Sequence, residues 1–194
     1  MSRLNAVFWD ERYKNNQTGW DLGEVSPPLG DYFDTLWDKS LSILIPGAGN
    51  AYEADYLLKK GFNNITVIDI SSEVVSGLKK KWEGKKEIQV LRGDFFDLQG
   101  KFDLIVEQTF FCALDPDLRN QYVNKVYELL KPDGRLVGVL FDKEFEDGPP
   151  FGGSKDEYKD LFRDRLKICK METCYNSIKP REGSELWIDL EKEG

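Results

Sequence analysis

The chain has 194 residues, which is enough for one α/β domain with a buried core. Its 27 basic and 35 acidic residues give a net charge of −8, which argues against nucleic acid or an anionic membrane surface as the main partner. The chain contains no histidine, which excludes serine–histidine and cysteine–histidine catalysis, histidine metal sites and imidazole bases.

Three cysteines, Cys112, Cys169 and Cys174, have spacings that match no zinc or redox motif. We expect reduced thiols, with Cys112 buried, and no metal. No apolar run approaches the roughly 20 residues of a membrane span, and residues 1–7 lack the pattern of a signal peptide. These features favour a cytoplasmic protein that acts on small molecules, with a monomer expected and a dimer as the alternative.

Residues 1–24 combine polar turns with four aromatic side chains, Phe8, Trp9, Tyr13 and Trp20, of which the last three are candidate site residues. The segment offers few other apolar residues with which to build a core. The rings are therefore interpreted either as a lid that contacts a cation or as an anchor that fixes the N-terminus to the domain. The two interpretations are compatible.

The first predicted helix begins with Ser26 as N-cap and Pro27 as its first residue. Its apolar positions repeat at helical spacing and predict a packed face. They are Leu29, Tyr32, Phe33, Leu36 and Trp37.

Strands and helices then alternate along the chain. Strands are predicted at 41–45, 65–70, 88–91, 102–106 and 135–141, with closing strands near 166–174 and 185–190. Helices are predicted at 52–60, 72–81, after Asp115 and at 155–165. This order predicts a Rossmann-like α/β fold, in which a mostly parallel sheet has helices on both faces. Because no repeat or linker is visible, residues 1–194 are predicted to form one domain.

The most informative segment is a buried strand followed by a turn that contains Gly47 and Gly49, with Asp69 placed 20 positions after Gly49. Glycines let the backbone approach a ligand, and an acid at the end of the second strand accepts hydrogen bonds from ribose hydroxyls. The alternatives are an ordinary turn and an Asp69 that caps the next helix, although Ser71 suits that capping role better. Tyr52 replaces the third glycine of the dinucleotide pattern, which counts against NAD or FAD.

Two further strand ends carry candidate side chains. Asp94 and Phe95 follow the third strand, where an acid can bind the adenine amino group and an aromatic ring can cover the base. The alternative is a turn with one buried phenylalanine. Glu107 and Gln108 follow the fourth strand and are predicted to lie in the ligand crevice.

Two aromatic segments leave their role open. Phe110 and Phe111 either wall a pocket or belong to the core, and the core is favoured. The loop at 144–153, which contains Gly148, Pro149, Pro150 and Phe151, either covers a substrate or forms a surface turn.

Together these segments resemble the class I S-adenosylmethionine-dependent methyltransferases. More narrowly, the chain is similar to the thiopurine S-methyltransferase family, especially its thiol and halide methyltransferase branch. The segments that carry the resemblance are Trp9 with residues 20–23, then 46–49, 69–71, 94–95, 102–113, 130–134 and 148–151.

The resemblance implies a seven-stranded sheet whose last strand is antiparallel, and it implies roles for individual residues. Trp9, Tyr13 and Trp20 would contact S-adenosylmethionine. The glycine turn with Gly47 and Gly49 would lie against its methionine part, Asp69 with Ile70 would bind the ribose, Asp94 with Phe95 would hold the adenine, and Glu107 would contact the methionine end. Gln108, the candidate catalytic residue, would face the acceptor, where related proteins carry Tyr or Arg.

The resulting hypothesis is methyl transfer from S-adenosylmethionine to a small soft nucleophile, with S-adenosylhomocysteine as product. The acceptor would be a thiol, sulfide, thiocyanate or halide, or a thiopurine-type sulfur. Such anions need no strong base, which suits a chain without histidine. The alternatives are a non-catalytic protein that binds S-adenosylmethionine, an NAD(P)-dependent oxidoreductase, and a methyltransferase for oxygen or nitrogen.

Overall fold

The computed structural model describes residues 4–194, and residues 1–3 of the predicted lid segment lie outside the described part. The helices are α1 (Ala6–Lys14), α2 (Pro27–Thr35), α3 (Tyr52–Lys59), α4 (Ser72–Lys81), α5 (Arg119–Leu129) and α6 (Lys155–Phe162). The strands are β1 (Ile43–Pro46), β2 (Ile65–Asp69), β3 (Ile88–Arg92), β4 (Phe102–Gln108), β5 (Leu130–Phe141), β6 (Lys167–Thr173) and β7 (Glu185–Glu191). Within residues 4–194, no helix is both long and apolar enough to cross a membrane.

The seven strands form one sheet in the order β3-β2-β1-β4-β5-β7-β6. Strands β1 to β5 pair in parallel with one another, whereas β7 runs antiparallel to both β5 and β6. The prediction of a mostly parallel seven-stranded sheet with an antiparallel last strand is confirmed. The connections leave β1 and β4 in opposite directions, which opens a crevice at the carboxyl ends of these two central strands.

Helices cover both faces of the sheet, and each face has its own apolar core. On one face, Phe33 of α2, Leu57 of α3 and Leu78 of α4 pack against the central strands. On the other face, Tyr122 of α5 and Phe162 of α6 do the same. Every residue of β1 and of β2 is buried, as expected for parallel strands that have helices on both sides.

The N-terminal segment differs most from the sequence prediction. Helix α1 was not predicted, because it buries none of its residues and therefore shows no apolar face. Asn5 begins it by accepting a hydrogen bond from the Phe8 amide. Ser26 does precede α2, with Pro27 first in the helix, but its side chain makes no capping hydrogen bond. The predicted packing role of Trp37 was wrong, since α2 ends at Thr35 and Trp37 is 88% exposed.

Smaller differences concern where elements begin. Strand β5 begins at Leu130 rather than at residue 135. Its pairing with β4 is irregular between Leu130 and Arg135, where Asp133 has φ of 61°. After Asp115 a 3-10 turn, Pro116–Leu118, precedes α5. Helix α6 ends at Phe162, three residues earlier than predicted.

The close pairing of β4 and β5 depends on one glycine. Gly138 lies opposite Glu107, and a Cβ at position 138 would be 2.0 Å from the Glu107 carbonyl oxygen. Backbone atoms cannot give way as the end of a flexible side chain can. The absence of a side chain at Gly138 therefore fixes the position of the β4 carboxyl end, from which the candidate site is built.

We expect Gly138→Ala to lower the free energy of unfolding by about 1–3 kcal/mol, because the added methyl overpacks the strand pair. Gly77→Ala is the matched control, since it places the same methyl in open space on α4. It should raise stability by about 0.5–1 kcal/mol through helix propensity. Urea denaturation of the two variants measures both effects, and equal stabilities would contradict the close β4–β5 contact.

Candidate functional site

One cavity of about 830 Å³ opens at the carboxyl ends of the central strands. Most of the residues selected from the sequence line it. They are Trp9, Tyr13, Trp20, Gly47, Gly49, Asp69, Ile70, Asp94, Phe95 and Gln108. Residues from six separate segments of the chain thus converge on one space, whose volume falls in the range of ~300–1,000 Å³ of small-molecule sites.

The glycine turn after β1 forms part of the cavity wall. Gly47 and Gly49 have φ of +59° and +52°, a conformation that side-chain-bearing residues rarely adopt. A Cβ on Gly47 would lie 2.2 Å from the Phe110 ring, and one on Gly49 would lie 2.7 Å from the Tyr13 hydroxyl. Both positions therefore require glycine for backbone conformation and for space.

Asp69 ends β2 and joins the glycine turn to the start of α4. Its Oδ2 accepts a hydrogen bond from the Gly49 amide (3.1 Å), and its Oδ1 accepts one from the Ser71 amide (2.8 Å). Burial raises the pKa of Asp69, and the amides of Ser71 and Gly49 oppose that effect. Each carboxylate oxygen has a second lone pair, so the group can still accept from two hydroxyls. Ser71, rather than Asp69, caps α4 through the Val74 amide.

Three of the aromatic residues of the N-terminal segment, Trp9, Tyr13 and Trp20, form a cluster that lines the cavity. Trp20 is at its centre, with its ring centroid 5.7 Å from that of Trp9 and 6.0 Å from that of Tyr13, both edge to face. The Arg181 guanidinium donates to the Trp20 carbonyl oxygen (2.7 Å). The rings thus line the cavity while their segment is fixed to the domain, so the geometry accommodates both interpretations of the segment.

Asp10, which sequence reasoning missed, anchors this segment to α4. Its carboxylate accepts hydrogen bonds from the Ser71 hydroxyl (2.6 Å), the Ser72 hydroxyl (2.7 Å) and the Glu73 amide (3.1 Å). Partial desolvation would raise its pKa, but these hydrogen bonds outweigh desolvation and lower the pKa of Asp10 to about 2. The sequence carries no signal for this contact, because it joins residues some sixty positions apart.

Asp94 and Phe95 begin a 3-10 turn after β3. The Asp94 carboxylate accepts from the Phe96 amide (3.0 Å), and Phe95 is only 4% exposed. The centroid of the Phe95 ring lies 5.2 Å from that of the Phe110 ring and 5.6 Å from that of the Tyr122 ring. The pair therefore forms a turn with a buried phenylalanine and also lines the cavity, so the two alternatives are not exclusive.

The expectation for Glu107 needs correction, because its side chain does not line the cavity. Glu107 is fully buried beneath the site, and its carboxylate accepts from the amides of Phe110 and Phe111 (2.8 Å each) and from the Tyr122 hydroxyl (2.7 Å). Burial raises the pKa of Glu107 to about 7, against the effect of these hydrogen bonds. The carboxylate shapes the turn after β4 from inside the core.

Gln108, the next residue, does line the cavity. Its Oε1 is buried and has no hydrogen-bond partner among the described residues. Buried polar atoms are nearly always satisfied, so this oxygen is a candidate contact for a ligand. Thr109 follows with φ of +57°, an outlier for a β-branched residue. Such strained conformations cluster at functional sites.

The two phenylalanines after β4 have different roles. Phe111 is 1% exposed and packs in the core, as favoured from the sequence. Phe110 lines the cavity and packs against Gly47. Cys112 is buried, as expected. Burial first, and then the nearby Glu107 charge, raise the pKa of the Cys112 thiol, so it stays protonated at neutral pH.

The loop between β5 and α6 forms the far wall of the cavity, where Pro149 and Pro150 line it. The Phe151 amide donates to the Cys112 carbonyl oxygen (2.6 Å). Arg119, a buried residue that sequence reasoning missed, donates from Nη2 to the Gly152 carbonyl oxygen (2.6 Å) and from Nη1 to Glu157. These hydrogen bonds hold the loop in the wall of the cavity.

Comparisons with known proteins agree with this geometry. The sequence model of the family described as Thiopurine S-methyltransferase (TPMT) matches residues 4–189. The chain is 32% identical to a probable thiol methyltransferase 2 from Arabidopsis thaliana, with 95% of this chain and 84% of that protein covered. It is 27% identical to a thiopurine S-methyltransferase from Acinetobacter baylyi (95% and 98% covered) and 27% identical to a thiocyanate methyltransferase 1 from Brassica oleracea (91% and 81%).

Solved structures show the same fold. A 1,6-didemethyltoxoflavin-N1-methyltransferase from Burkholderia thailandensis, with S-adenosylhomocysteine bound, superposes with a TM-score of 0.76 at 19% identity and covers 97% of this chain and 87% of its own. A TehB-like SAM-dependent methyltransferase from Corynebacterium glutamicum gives 0.68 at 19% identity, with 97% and 98% covered. The predicted class I methyltransferase fold is confirmed.

The buried carboxyl of Glu107 predicts a dependence of stability on pH. In the unfolded chain the group ionises near 4.5, whereas in the fold it ionises near 7. As the pH rises between these values the unfolded state loses the proton first, so stability falls. Glu107→Gln should remove this contribution. Between about pH 5 and about pH 8, the free energy of unfolding of the wild type should therefore fall by roughly 2–3 kcal/mol more than that of Glu107→Gln.

Urea denaturation across this pH range measures the difference. Glu83→Gln is the control, because it removes one negative charge from the exposed surface. It should keep the wild-type pH dependence. Parallel curves for wild type and Glu107→Gln would contradict the buried, neutralised carboxyl.

Proposed function

The chain belongs to the thiopurine S-methyltransferase family, and we propose that it transfers the methyl group of S-adenosylmethionine to a small sulfur nucleophile in the cavity described above. One observation carries the proposal. A single cavity joins the glycine turn and the Asp69 carboxylate on one side to an aromatic wall on the other, where the Gln108 side-chain oxygen has no hydrogen-bond partner among residues 4–194. A nucleoside-bearing donor and a small acceptor fit the two sides.

The residues at the β1 and β2 end suit the donor. Gly47 and Gly49 carry no side chain, so a ligand can approach the backbone there. The Asp69 carboxylate keeps lone pairs that can accept hydrogen bonds from ribose hydroxyls. Asp94 and Phe95, which line the same cavity, are proposed to hold the adenine. When bound, S-adenosylmethionine supplies a methyl group on a positively charged sulfur.

The N-terminal rings are proposed to close the donor side. Trp9, Tyr13 and Trp20 present aromatic edges and faces to the cavity, and aromatic faces attract cations. Ile70 adds an apolar contact beside Asp69. For Glu107 the proposal is now indirect, since its carboxylate holds the turn that carries Gln108 and Phe110.

The proposed reaction depends on holding the acceptor in position and excluding water from it, rather than on a catalytic base. Thiols titrate near ~8.5, so part of a thiol acceptor is already thiolate near neutral pH. On the proposed acceptor side the cavity is lined by aromatic and proline side chains and by two cations, and these residues are Phe141, Phe145, Pro149, Pro150, Lys143 and Arg181. Removing water from the anion and holding it in line with the methyl group are both rate-enhancing. Gln108 is the proposed acceptor contact, because its amide both donates and accepts.

Features of the whole chain support further proposals. We take residues 1–194 as one domain, with residues 1–24 as the aromatic lid. A monomer without nucleic-acid partners is in keeping with the net charge of −8. A cytoplasmic location is in keeping with three free cysteines, which persist in reducing compartments.

Calorimetry with S-adenosylmethionine and S-adenosylhomocysteine tests the donor site. We expect both to bind the wild type, with NADH as a non-binding control. Asp69→Ala should weaken binding by about 1–3 kcal/mol, the cost of lost buried hydrogen bonds. The affinity of Asp69→Asn, which keeps the side-chain size, should lie between those of the wild type and Asp69→Ala. Asp160→Ala, an exposed change on α6, should bind normally. Full affinity of Asp69→Ala would contradict the ribose assignment, and NADH binding would favour an oxidoreductase.

A turnover panel tests the acceptor side. Aromatic and aliphatic thiols, hydrosulfide, thiocyanate and iodide are each offered with S-adenosylmethionine. We expect methylation of thiols, and a higher acceptor KM in Gln108→Ala with unchanged affinity for S-adenosylhomocysteine. Gln89→Ala, exposed on β3, is the control. Donor binding without turnover of any acceptor would support the non-catalytic alternative.

A further inference from the structure

We infer that Glu53 forms a subsite for a cationic group, namely the α-ammonium at the amino-acid end of the donor. The inference rests on the proposed function and adds a residue to the donor site. Glu53 is the second residue of α3 and follows the glycine turn within four positions of Gly49. It lines the cavity although it is only 6% exposed.

The electrostatics of Glu53 differ from those of the neighbouring acids. Asp55 pairs with Lys81 (2.5 Å), and Asp21 accepts from the Asn50 amide and the Tyr52 hydroxyl. Among the described residues, Glu53 forms no ion pair; it accepts hydrogen bonds from its own amide and from that of Ser26. Buried charges in proteins are normally paired with an opposite charge. An ionised Glu53 would lack such a partner among the described residues, and a bound cation would supply it.

The surroundings reinforce this conclusion. Burial, together with the charges of Asp21 and Asp55, raises the pKa of Glu53 to about 7. A cation that enters the cavity here would be attracted by these acids and would restore the charged form of Glu53. Backbone amides alone do not explain an acid at this position, because a neutral side chain of the same shape could also accept from them.

The ligand chemistry follows from the position. The glycine turn, against which the amino-acid end of the donor is proposed to lie, leads directly into Glu53. That end carries one carboxylate and one ammonium group. The carboxylate would be repelled by ionised Glu53, whereas the ammonium offers the missing positive charge and up to three donors.

Two ligands and one substitution test this subsite. S-Adenosylhomocysteine carries the amino-acid end, whereas 5′-methylthioadenosine keeps the nucleoside and lacks that end. We expect Glu53→Gln to weaken binding of S-adenosylhomocysteine about tenfold and to leave binding of 5′-methylthioadenosine unchanged. Glu73→Gln is the matched control, since Glu73 lies in the first turn of α4 and is exposed. It should change neither affinity.

Each other outcome has a definite meaning. An equal loss for both ligands, no loss for either, or tighter binding of S-adenosylhomocysteine would overturn the ammonium subsite. Failure of the wild type to bind either ligand would instead overturn the proposed function, and the subsite with it.

A second measurement needs only the wild-type protein. Because an ammonium restores the charge of Glu53, S-adenosylhomocysteine should release protons on binding near pH 7, which calorimetry detects as a heat that depends on the buffer. 5′-Methylthioadenosine should release fewer. Equal proton release by the two ligands would contradict the inference even if Glu53→Gln did not fold.

Discussion

The hydrogen bonds that Asp69 accepts from the Gly49 and Ser71 amides determine the form of the site. They join the turn after β1 to the end of β2, two segments that the sheet alone brings only to the same edge. Ser71 extends the connection, because its hydroxyl donates to Asp10 of the N-terminal helix. One buried carboxylate thus links the glycine turn, the start of α4 and the aromatic segment. The cost of burying this charge is offset by the amides and, in the proposed function, by ribose hydroxyls.

The fold was largely predictable from the sequence because its central strands are buried on both faces and the helices α2 to α6 each bury one apolar face. Helix α1 was not, since it buries no residue and depends on the Asn5 cap and on Asp10, a contact with residues far along the chain. Trp37 was misplaced for the opposite reason. It continues the helical repeat of α2, but the chain leaves the helix at Thr35. Periodicity predicts packing only while the regular element lasts.

The site was predictable to the level of strand ends but not of side-chain direction. Glu107 and Gln108 are consecutive residues at the end of one strand, and consecutive side chains of a strand point to opposite faces. Only one of the two can reach the cavity, and no feature of the sequence tells which. The structure directs Gln108 to the cavity and Glu107 to the core beneath it. The role of Arg119 in holding the loop was also not predictable, because it depends on a hydrogen bond to a loop carbonyl oxygen rather than on a sequence motif.

The two sides of the cavity differ in polarity, and each side suits one of the two proposed reactants. Acids gather at the β1 and β2 side, where Glu53, Asp69 and Asp94 lie, and this side suits a donor that carries positive charge. The β5 side combines aromatic and proline side chains with the cations Lys143 and Arg181, and it suits an anion. Gln108 lies between them at the end of β4, and its buried Oε1 has no hydrogen-bond partner in the described part of the chain. A cationic donor and an anionic acceptor would meet there, and their charges would cancel as the methyl group passes. A dry boundary favours that cancellation more than water does, because water stabilises the separated charges most.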